Sequence, residues 1–201
     1  MIDERAVQVH RGPVVKAGWV AGAGQTVAVA WSGRQRFGAV DVCYPDAGGA
    51  CAALVVASDE RFADLVEERT FWLPVVEAYQ PGGFYLRELP AITAVLATVA
   101  DPDLVVVDGY VDLDPQGRPG LGAHLHARIG VPVIGVAKTA FRTASHAVTV
   151  YRGGATRPLF ITAAGVSIER AAALVAAMAG PHRIPDALRR VDVLARQGAQ
   201  R

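Results

Sequence analysis

The sequence predicts an α/β protein in which a mixed β-sheet is covered by helices. Its first half contains short β-branched runs separated by turn residues, whereas its second half alternates strand, helix and strand. With 201 residues, 52% of them hydrophobic, the chain is long enough to bury one substantial core. We therefore expect a single domain over residues 1–201, in which only 197–201 form a flexible tail.

Three early β-branched runs predict consecutive antiparallel strands. They cover residues 26–31, 37–44 and 51–57. The polar stretch that follows, from Asp59 to Arg69, shows no strand pattern. Residues 78–85 contain a proline and two adjacent glycines, which predicts a loop that carries aromatic side chains.

Apolar residues at helical spacing predict a helix over residues 88–100, with Glu88 at its start and Pro90 in its first turn. The continuous apolar runs 104–107 and 131–137 are typical of strands buried on both faces, joined here by a helix at 120–129. These two strands are expected to be parallel. The remaining predicted elements are strands at 147–151 and 158–162 and helices from Ser167 to Gly180 and over 185–195.

Charge and cysteine content exclude several classes of protein. Twenty basic and 19 acidic residues give a net charge of +1, so overall charge indicates no preference for nucleic acid. Cys43 and Cys51 are too few for a secreted disulfide framework and lack zinc-site spacing. The sequence shows neither a signal peptide nor an apolar run of membrane-spanning length. We expect a cytoplasmic protein that does not associate with membranes.

Three acids occupy positions that suggest chemistry. Asp41 lies inside an apolar strand, Asp108 follows a second one, and Glu88 begins a predicted helix. Each has an ordinary explanation: a strand residue can face solvent, and a first-turn glutamate favours the helix dipole. Taken together they offer all-oxygen ligation, which suits Mg²⁺ or Mn²⁺, and such ions promote phosphodiester cleavage.

Other side chains allow two readings. Lys138 ends a buried strand, where it is either solvated or aimed at a phosphate. Tyr79 and Phe84 flank Q-P-G-G, so that their rings either pack beneath the loop or stack on a base. His124 and His126 stand two positions apart on a predicted helix and do not share a face, which argues against a joint metal site.

Four segments, in this order, resemble the endonuclease V family. They are D-V-C-Y at 41–44, Y-Q-P-G-G-F-Y-L-R-E at 79–88, V-V-V-D-G at 105–109 and G-V-P-V-I-G-V-A-K at 130–138. The resemblance extends over about residues 36–195 and implies a ribonuclease H-like fold. It also implies metal-dependent hydrolysis of a phosphodiester 3′ to a deaminated base, chiefly inosine in DNA, as a step of DNA repair. We expect a monomer that uses Mg²⁺, with Mn²⁺ able to substitute.

The resemblance assigns roles to the acids. Asp41, Glu88 and Asp108 match the metal-binding acids of the family. The segment I-P-D-A-L-R-R-V-D places Asp192 where members carry histidine or aspartate near the metal. Alternatively, Asp192 is an ordinary exposed acid on the last helix.

The resemblance also assigns residues to nucleic-acid binding. Tyr79 matches the wedge that fills the gap left by an extruded base, a step that costs unstacking energy. Gly82 and Gly109 fall where the family brings main-chain groups close to the lesion pocket, and glycine permits this approach. Lys138 matches a lysine close to the active site.

One loop departs from the family pattern. After V-D-G the family usually continues H-G-x-A-H-P-R, but this chain places Tyr110 and Asp114 at the two histidine positions. The metal-binding acids are retained while the lesion-reading surface is altered. Inosine in RNA, mismatched or branched DNA, and a nucleic-acid-binding protein without catalysis therefore remain as alternatives.

Overall fold

The computed structural model describes residues 35–78 and 83–200. A seven-stranded sheet with the order β3-β2-β1-β4-β5-β7-β6 forms its centre. The elements along the chain are β1 Phe37–Cys43, β2 Ala50–Ala57, β3 Leu65–Leu73, α1 Phe84–Leu96, β4 Leu104–Asp108, α2 Leu121–Ile129, β5 Val133–Ala137, β6 Val148–Val150, β7 Leu159–Ala164, α3 Ile168–Ala177 and α4 Asp186–Gly198.

The sheet is mixed, as the sequence predicts. Strands β1, β4 and β5 run parallel at its centre, whereas β2, β3 and β7 pair antiparallel with their neighbours. Helices α1 and α2 cover one face of the sheet, and α3 and α4 cover the other. The central strands are thus buried on both faces, which explains their continuous apolar runs.

Strand β3 was not predicted. Its polar sequence contains Glu67, Glu68 and Arg69, and most of its residues are exposed because it lies at the edge of the sheet. Charged residues are common on edge strands, where they oppose pairing with other chains. Glu68 also accepts two hydrogen bonds of 2.6 Å from the guanidinium of Arg190 on α4.

Helix α1 begins earlier than predicted. It starts at Phe84, so Glu88 is its fifth residue and Pro90 lies inside the helix instead of in its first turn. The aromatic residues directly after Gly83 are helical, although the preceding glycines suggested a loop. The helix ends at Leu96, four residues before the predicted end at residue 100.

Both termini bear on the domain prediction. Helix α4 continues to Gly198, so residues 197 and 198 are helical and do not belong to a tail. The predicted strand at 26–31 lies outside the described residues, and the single domain over 1–201 stays a prediction. In the part of the chain that the structure describes, no helix has the length and hydropathy to cross a bilayer.

Candidate active site

Three parallel strands end at one edge of the sheet, and each brings a charged residue there. Val40 of β1 lies beside Val107 of β4, so Asp41 and Asp108 follow as neighbours on adjacent strands. Lys138 directly follows β5, the next parallel strand. Because Val40 and Val107 pack against α1 and α2, strand alternation turns the two aspartates toward the face that carries α4.

Glu88 reaches this edge from α1, on the opposite face of the sheet. It is only 7% exposed. Burial raises the pKa of Glu88 to about 8, and the charges of Asp41 and Asp108 add to the rise. Burial likewise raises the pKa of Asp41 to about 6, with a further contribution from Asp108. The three predicted metal-binding acids therefore lie close enough for their charges to interact.

Lys138 offsets part of this negative charge. Its Nζ donates a hydrogen bond to Oδ2 of Asp108 and forms an ion pair with it. Burial alone lowers the pKa of Lys138, but the hydrogen bond and charge of Asp108 outweigh it, so that the net pKa is raised. The structure thus brings the predicted lysine into contact with a predicted catalytic acid.

Asp192, which lies on α4, is close to these acidic residues. Its charge raises the pKa values of both Asp41 and Lys138. Its carboxylate also forms an ion pair of 3.0 Å with Arg196, one helical turn further along. Asp192 is therefore a neighbour of the cluster, and its role as a metal ligand stays a prediction.

The donor set fits a hard divalent cation. Carboxylate oxygens are the ligands that Mg²⁺ and Mn²⁺ prefer. The raised pKa values of Asp41 and Glu88 reflect buried negative charge that such a cation would compensate. Within the described residues, however, no three Asp, Glu, His or Cys side chains are arranged to hold an ion. In this arrangement Asp108 is paired with the ammonium of Lys138.

Sequence reasoning overlooked Tyr44, the last residue of D-V-C-Y. Its hydroxyl is buried and has no hydrogen-bond partner among the described residues. The guanidinium of Arg87 lies 4.3 Å from the centre of its ring. Burial raises the pKa of Tyr44, and the charge of Glu88 raises it further. The position of this tyrosine within the motif was the signal that could have identified it.

Sequence reasoning also overlooked Arg183, which supports the lysine. Its guanidinium donates to the main-chain carbonyl of Lys138 and, at 2.7 Å, to that of Pro158. Arg183 thus holds the backbone where β5 leaves the sheet. No spacing rule links residues 45 positions apart in the sequence, so only the tertiary structure reveals this contact.

A cavity of about 270 Å³ opens beside Asp108. Its walls are mainly aromatic and aliphatic, with main chain at two glycines. They are formed by Phe84, Tyr85, Asp108, Gly109, Tyr110, Leu113, Pro119, Gly120, Leu121 and Phe141. A larger cavity of about 420 Å³ lies at the opposite edge of the sheet and contains none of the predicted site residues. The cavity beside Asp108 is therefore the candidate for a ligand.

The structure describes one of the three residues that were predicted to bind nucleic acid, Gly109. Gly109 lines the cavity with a φ of 144°, a conformation that favours glycine, so its main chain can approach a ligand closely. Tyr79 and Gly82 lie outside the described residues, and their roles stay predictions. The two helix histidines are separate, as expected: His124 stacks on Tyr85, and His126 contacts the main-chain oxygen of residue 131.

Asp114, at a family histidine position, faces its own loop. Its Oδ1 accepts hydrogen bonds from the main-chain nitrogens of Gln116 and Arg118. Its Oδ2 lies 3.3 Å from Nε of Arg118. This acid therefore shapes the loop over residues 110–119, and its charge is paired with a guanidinium.

Acids on adjacent parallel strands, with a buried glutamate and a lysine beside them, fit a hydrolytic nuclease, and the mixed sheet with helices on both faces is a ribonuclease H-like fold. A family model described as Endonuclease V matches residues 26–159. The chain is 33% identical to the endonuclease V of Streptomyces avermitilis, over 82% of this chain and 81% of that one. It is 34% identical to the endonuclease V of Streptomyces coelicolor, over 82% and 79%. The chain therefore belongs to the endonuclease V family, whose members are metal-dependent endonucleases that hydrolyse phosphodiester bonds.

Solved structures agree with this assignment. The crystal structure of endonuclease V from Streptomyces avermitilis matches with a TM-score of 0.71 and 31% identity, covering 84% of this chain and 82% of that one. Endonuclease V of Ciona intestinalis, solved with a 24mer DNA containing an inosine followed by a ribo-adenosine, matches with a TM-score of 0.71 over 83% and 86%. At 20% identity, this second likeness concerns the fold alone.

Proposed function

We propose that this chain uses Mg²⁺ to hydrolyse one phosphodiester bond on the 3′ side of a deaminated base, chiefly inosine in DNA. The observation that supports it most strongly is that Asp41 and Asp108 lie side by side on adjacent parallel strands, with a cavity that opens beside Asp108. The family resemblance supports deaminated bases as the substrate. The inosine-containing DNA bound to the Ciona intestinalis relative points in the same direction.

The acidic side chains would provide the metal-binding site. Asp41, Asp108 and Glu88 would hold the cation, which when bound lowers the pKa of an attacking water and neutralises charge on the phosphate. Asp192 would contribute from α4. Because Glu88 is buried, water is excluded from one side of the acid cluster, and the interaction of the Glu88 carboxylate with a cation would be stronger.

Lys138 would act on the negative charge that develops at the phosphate. Its ammonium already lies against Asp108, so a small change of rotamer brings it to a phosphate oxygen next to that acid. Arg183 would keep the lysine backbone in place through its bond to the main-chain oxygen. Removal of a single preorganised hydrogen-bond donor aimed at the transition state typically costs about 10²–10³ in rate, and we expect an effect of this order for Lys138.

The cavity would receive the deaminated base after it leaves the duplex. A base must leave the stack before its edge can be read, and this costs a few kcal/mol, least at a mispaired base. Gly109 would present main-chain groups to the base, while Tyr79 and Gly82, outside the described residues, would fill the gap and approach the lesion.

The chromosome of a bacterium lies in its cytoplasm, and the relatives from Streptomyces are bacterial, so we place the enzyme in the cytoplasm.

Cleavage of four labelled strands tests the proposal. One DNA strand carries a single inosine, a second carries adenine instead, a third is the inosine strand in RNA, and a fourth forms a plain mismatch. With Mg²⁺, or with Mn²⁺ in its place, we expect a nick on the 3′ side of inosine in DNA. Preferred cleavage of the RNA or of the mismatch would replace inosine DNA as the substrate. Salt-dependent binding without cleavage would indicate a binding protein.

Three variants connect the activity to the site. Asp41→Ala and Asp108→Ala should each remove nicking, because either change takes away a predicted ligand of the cation. Asp112→Ala is the matched control, since Asp112 belongs to the same loop region but lies outside the acid cluster. Full activity in either of the first two variants would refute the assignment. Light scattering on the purified chain tests the predicted monomer.

A further inference from the structure

A tyrosine hydroxyl joins the two segments that follow strands β4 and β5. The hydroxyl of Tyr110, next to Gly109, donates to the main-chain oxygen of Thr139 at 2.8 Å. It also accepts a hydrogen bond of 3.0 Å from the main-chain nitrogen of Phe141. Both partners lie within the three residues that follow Lys138. A histidine, the family residue at this position, carries no hydroxyl and cannot make the same pair of bonds.

This bridge holds the backbone of Phe141, and the ring of Phe141 lies beside the ring of Tyr110. The ring centres of Tyr110 and Phe141 are 6.0 Å apart, within the distance range of interacting aromatic pairs, and the ring planes are tilted by 47°. Phe141 is nevertheless 44% exposed and lines the cavity beside Asp108. Tyr110 thus contacts Phe141 at its main chain and along one side of its ring. The rest of the exposed ring surface is available to a ligand.

A second segment that lines the same cavity is also aromatic and is attached to a neighbouring helix. Phe84, at the start of α1, is 46% exposed and lines the cavity. Beside it, Tyr85 stacks on His124 of α2 with ring centres 3.6 Å apart and planes 15° from parallel. The cavity therefore has aromatic rings from two separate segments, and both segments are attached to neighbouring elements.

The space and the surface suit one flat ring system. The volume of about 270 Å³ lies below the ~300–1,000 Å³ of pockets for drug-sized ligands, which matches a single base better than a dinucleotide. A Cβ on Gly120 would lie 2.7 Å from the main-chain oxygen of Tyr110, so glycine is needed for this wall to close. A bicyclic base covers more of such aromatic walls than a monocyclic one does.

We propose that Phe141 is the stacking wall of the base pocket, and that Tyr110 is a positioning residue whose hydroxyl holds this wall. Together they make the enzyme prefer bicyclic deaminated bases over monocyclic ones. The proposal rests on the proposed function of the same site. It assigns the selectivity of this chain to a tyrosine that replaces the usual histidine of the family.

Two variants and one control test the pair. Phe141→Ala removes the wall, and Tyr110→Phe keeps the ring but removes both hydrogen bonds. Tyr151→Phe is the matched control, because Tyr151 is 62% exposed and does not line the cavity. Two strands that differ only in deoxyinosine or deoxyuridine at one position report selectivity as the ratio of their kcat/KM values.

Loss of stacking on one base typically costs ~1–3 kcal/mol, so Phe141→Ala should lower kcat/KM for deoxyinosine about 10- to 100-fold. Its effect on deoxyuridine should be several-fold smaller, which reduces the selectivity ratio. Tyr110→Phe should reduce this ratio about 3- to 10-fold, since the segment that carries Phe141 loses both hydrogen bonds to the Tyr110 hydroxyl. The control should leave the ratio unchanged.

A binding measurement in EDTA separates the pocket from catalysis. A strand with fluorescent 2-aminopurine at the lesion position loses emission when the base stacks on an aromatic ring. Because neighbouring bases already quench 2-aminopurine in the free strand, the two complexes are compared with each other: emission should be lower in the wild-type complex than in the Phe141→Ala complex. Equal losses on both strands, or an unchanged ratio in Tyr110→Phe, would overturn the proposal. If the wild type nicks neither strand, the proposed function fails, and quenching still decides whether Phe141 stacks on a base.

Discussion

Replacing Glu88 with glutamine should stabilise the metal-free protein at high pH while it removes activity. Glu88 is 7% exposed, and burial, followed by the charges of Asp41 and Asp108, raises its pKa from 4.5 to about 8. In the unfolded chain the proton dissociates near the ordinary value. The stability associated with the bound proton is therefore complete below about pH 4.5 and is lost as the pH rises toward 8.

The size of this effect follows from the two pKa values. A rise from 4.5 to about 8 corresponds to a loss of about 5 kcal/mol of unfolding free energy by pH 9. Glutamine has the same shape but carries no charge at any pH. Its buried amide still costs ~1–3 kcal/mol if it lacks partners. We therefore expect Glu88→Gln to be neutral or slightly destabilising at pH 5, and to be more stable than wild type by about 2–4 kcal/mol at pH 9.

Urea unfolding in EDTA at pH 5, 7 and 9 measures this difference. Glu169→Gln is the matched control, because Glu169 lies exposed in the first turn of α3 and should show no such trend. Mg²⁺ should stabilise the wild type more at pH 9 than at pH 5, since the cation compensates the buried charge. A difference between Glu88→Gln and wild type that stays constant from pH 5 to pH 9 would refute the reasoning.

Two further predictions concern the lysine and a buried arginine. Lys138→Gln should lower kcat for nicking about 10²-fold, with unchanged nucleic-acid affinity at high salt. Single-turnover kinetics would detect this loss. A rate within twofold of wild type would exclude a role of Lys138 in charge stabilisation. Arg152, 8% exposed, donates to main-chain oxygens of residues 176, 178, 180, 182 and 183. Arg152→Met should lower the unfolding free energy by about 3 kcal/mol, because these buried acceptors lose their donor; urea unfolding would show it, and an unchanged midpoint would contradict it.

Local sequence patterns were sufficient to predict the central strands, but not their order in the sheet. The apolar runs of β1, β4 and β5 are continuous because helices cover both faces of these strands. The patterns also predicted that β4 and β5 are parallel, but not that β1 lies parallel beside β4. Sequence spacing could not show that Asp41, Glu88 and Asp108 cluster, and only the resemblance to the family grouped them. Edge strand β3 escaped prediction because its exposed residues carry charge instead of an apolar pattern.

The walls of the cavity could not be predicted in the same way. The hydroxyl of Tyr110 bonds to a carbonyl 29 positions away, and Tyr85 stacks on a histidine 39 positions away. Neither contact has a sequence period, since the first depends on how the segments after β4 and β5 fold together and the second on how helices α1 and α2 pack. The orientation of Asp114 toward Arg118 likewise required the structure, although the exchange of histidine for aspartate was visible in the sequence.

The central claim is that the acids at the ends of β1 and β4 hold a divalent cation for phosphodiester hydrolysis. Anomalous diffraction from crystals soaked in Mn²⁺ tests it most directly, because the signal locates the ion without any assumption about its ligands. We expect one strong peak within coordination distance of carboxylate oxygens of both Asp41 and Asp108, with Glu88 bound directly or through water. This peak should be absent from Asp108→Ala crystals. A peak elsewhere, or none between the two aspartates, would contradict the account.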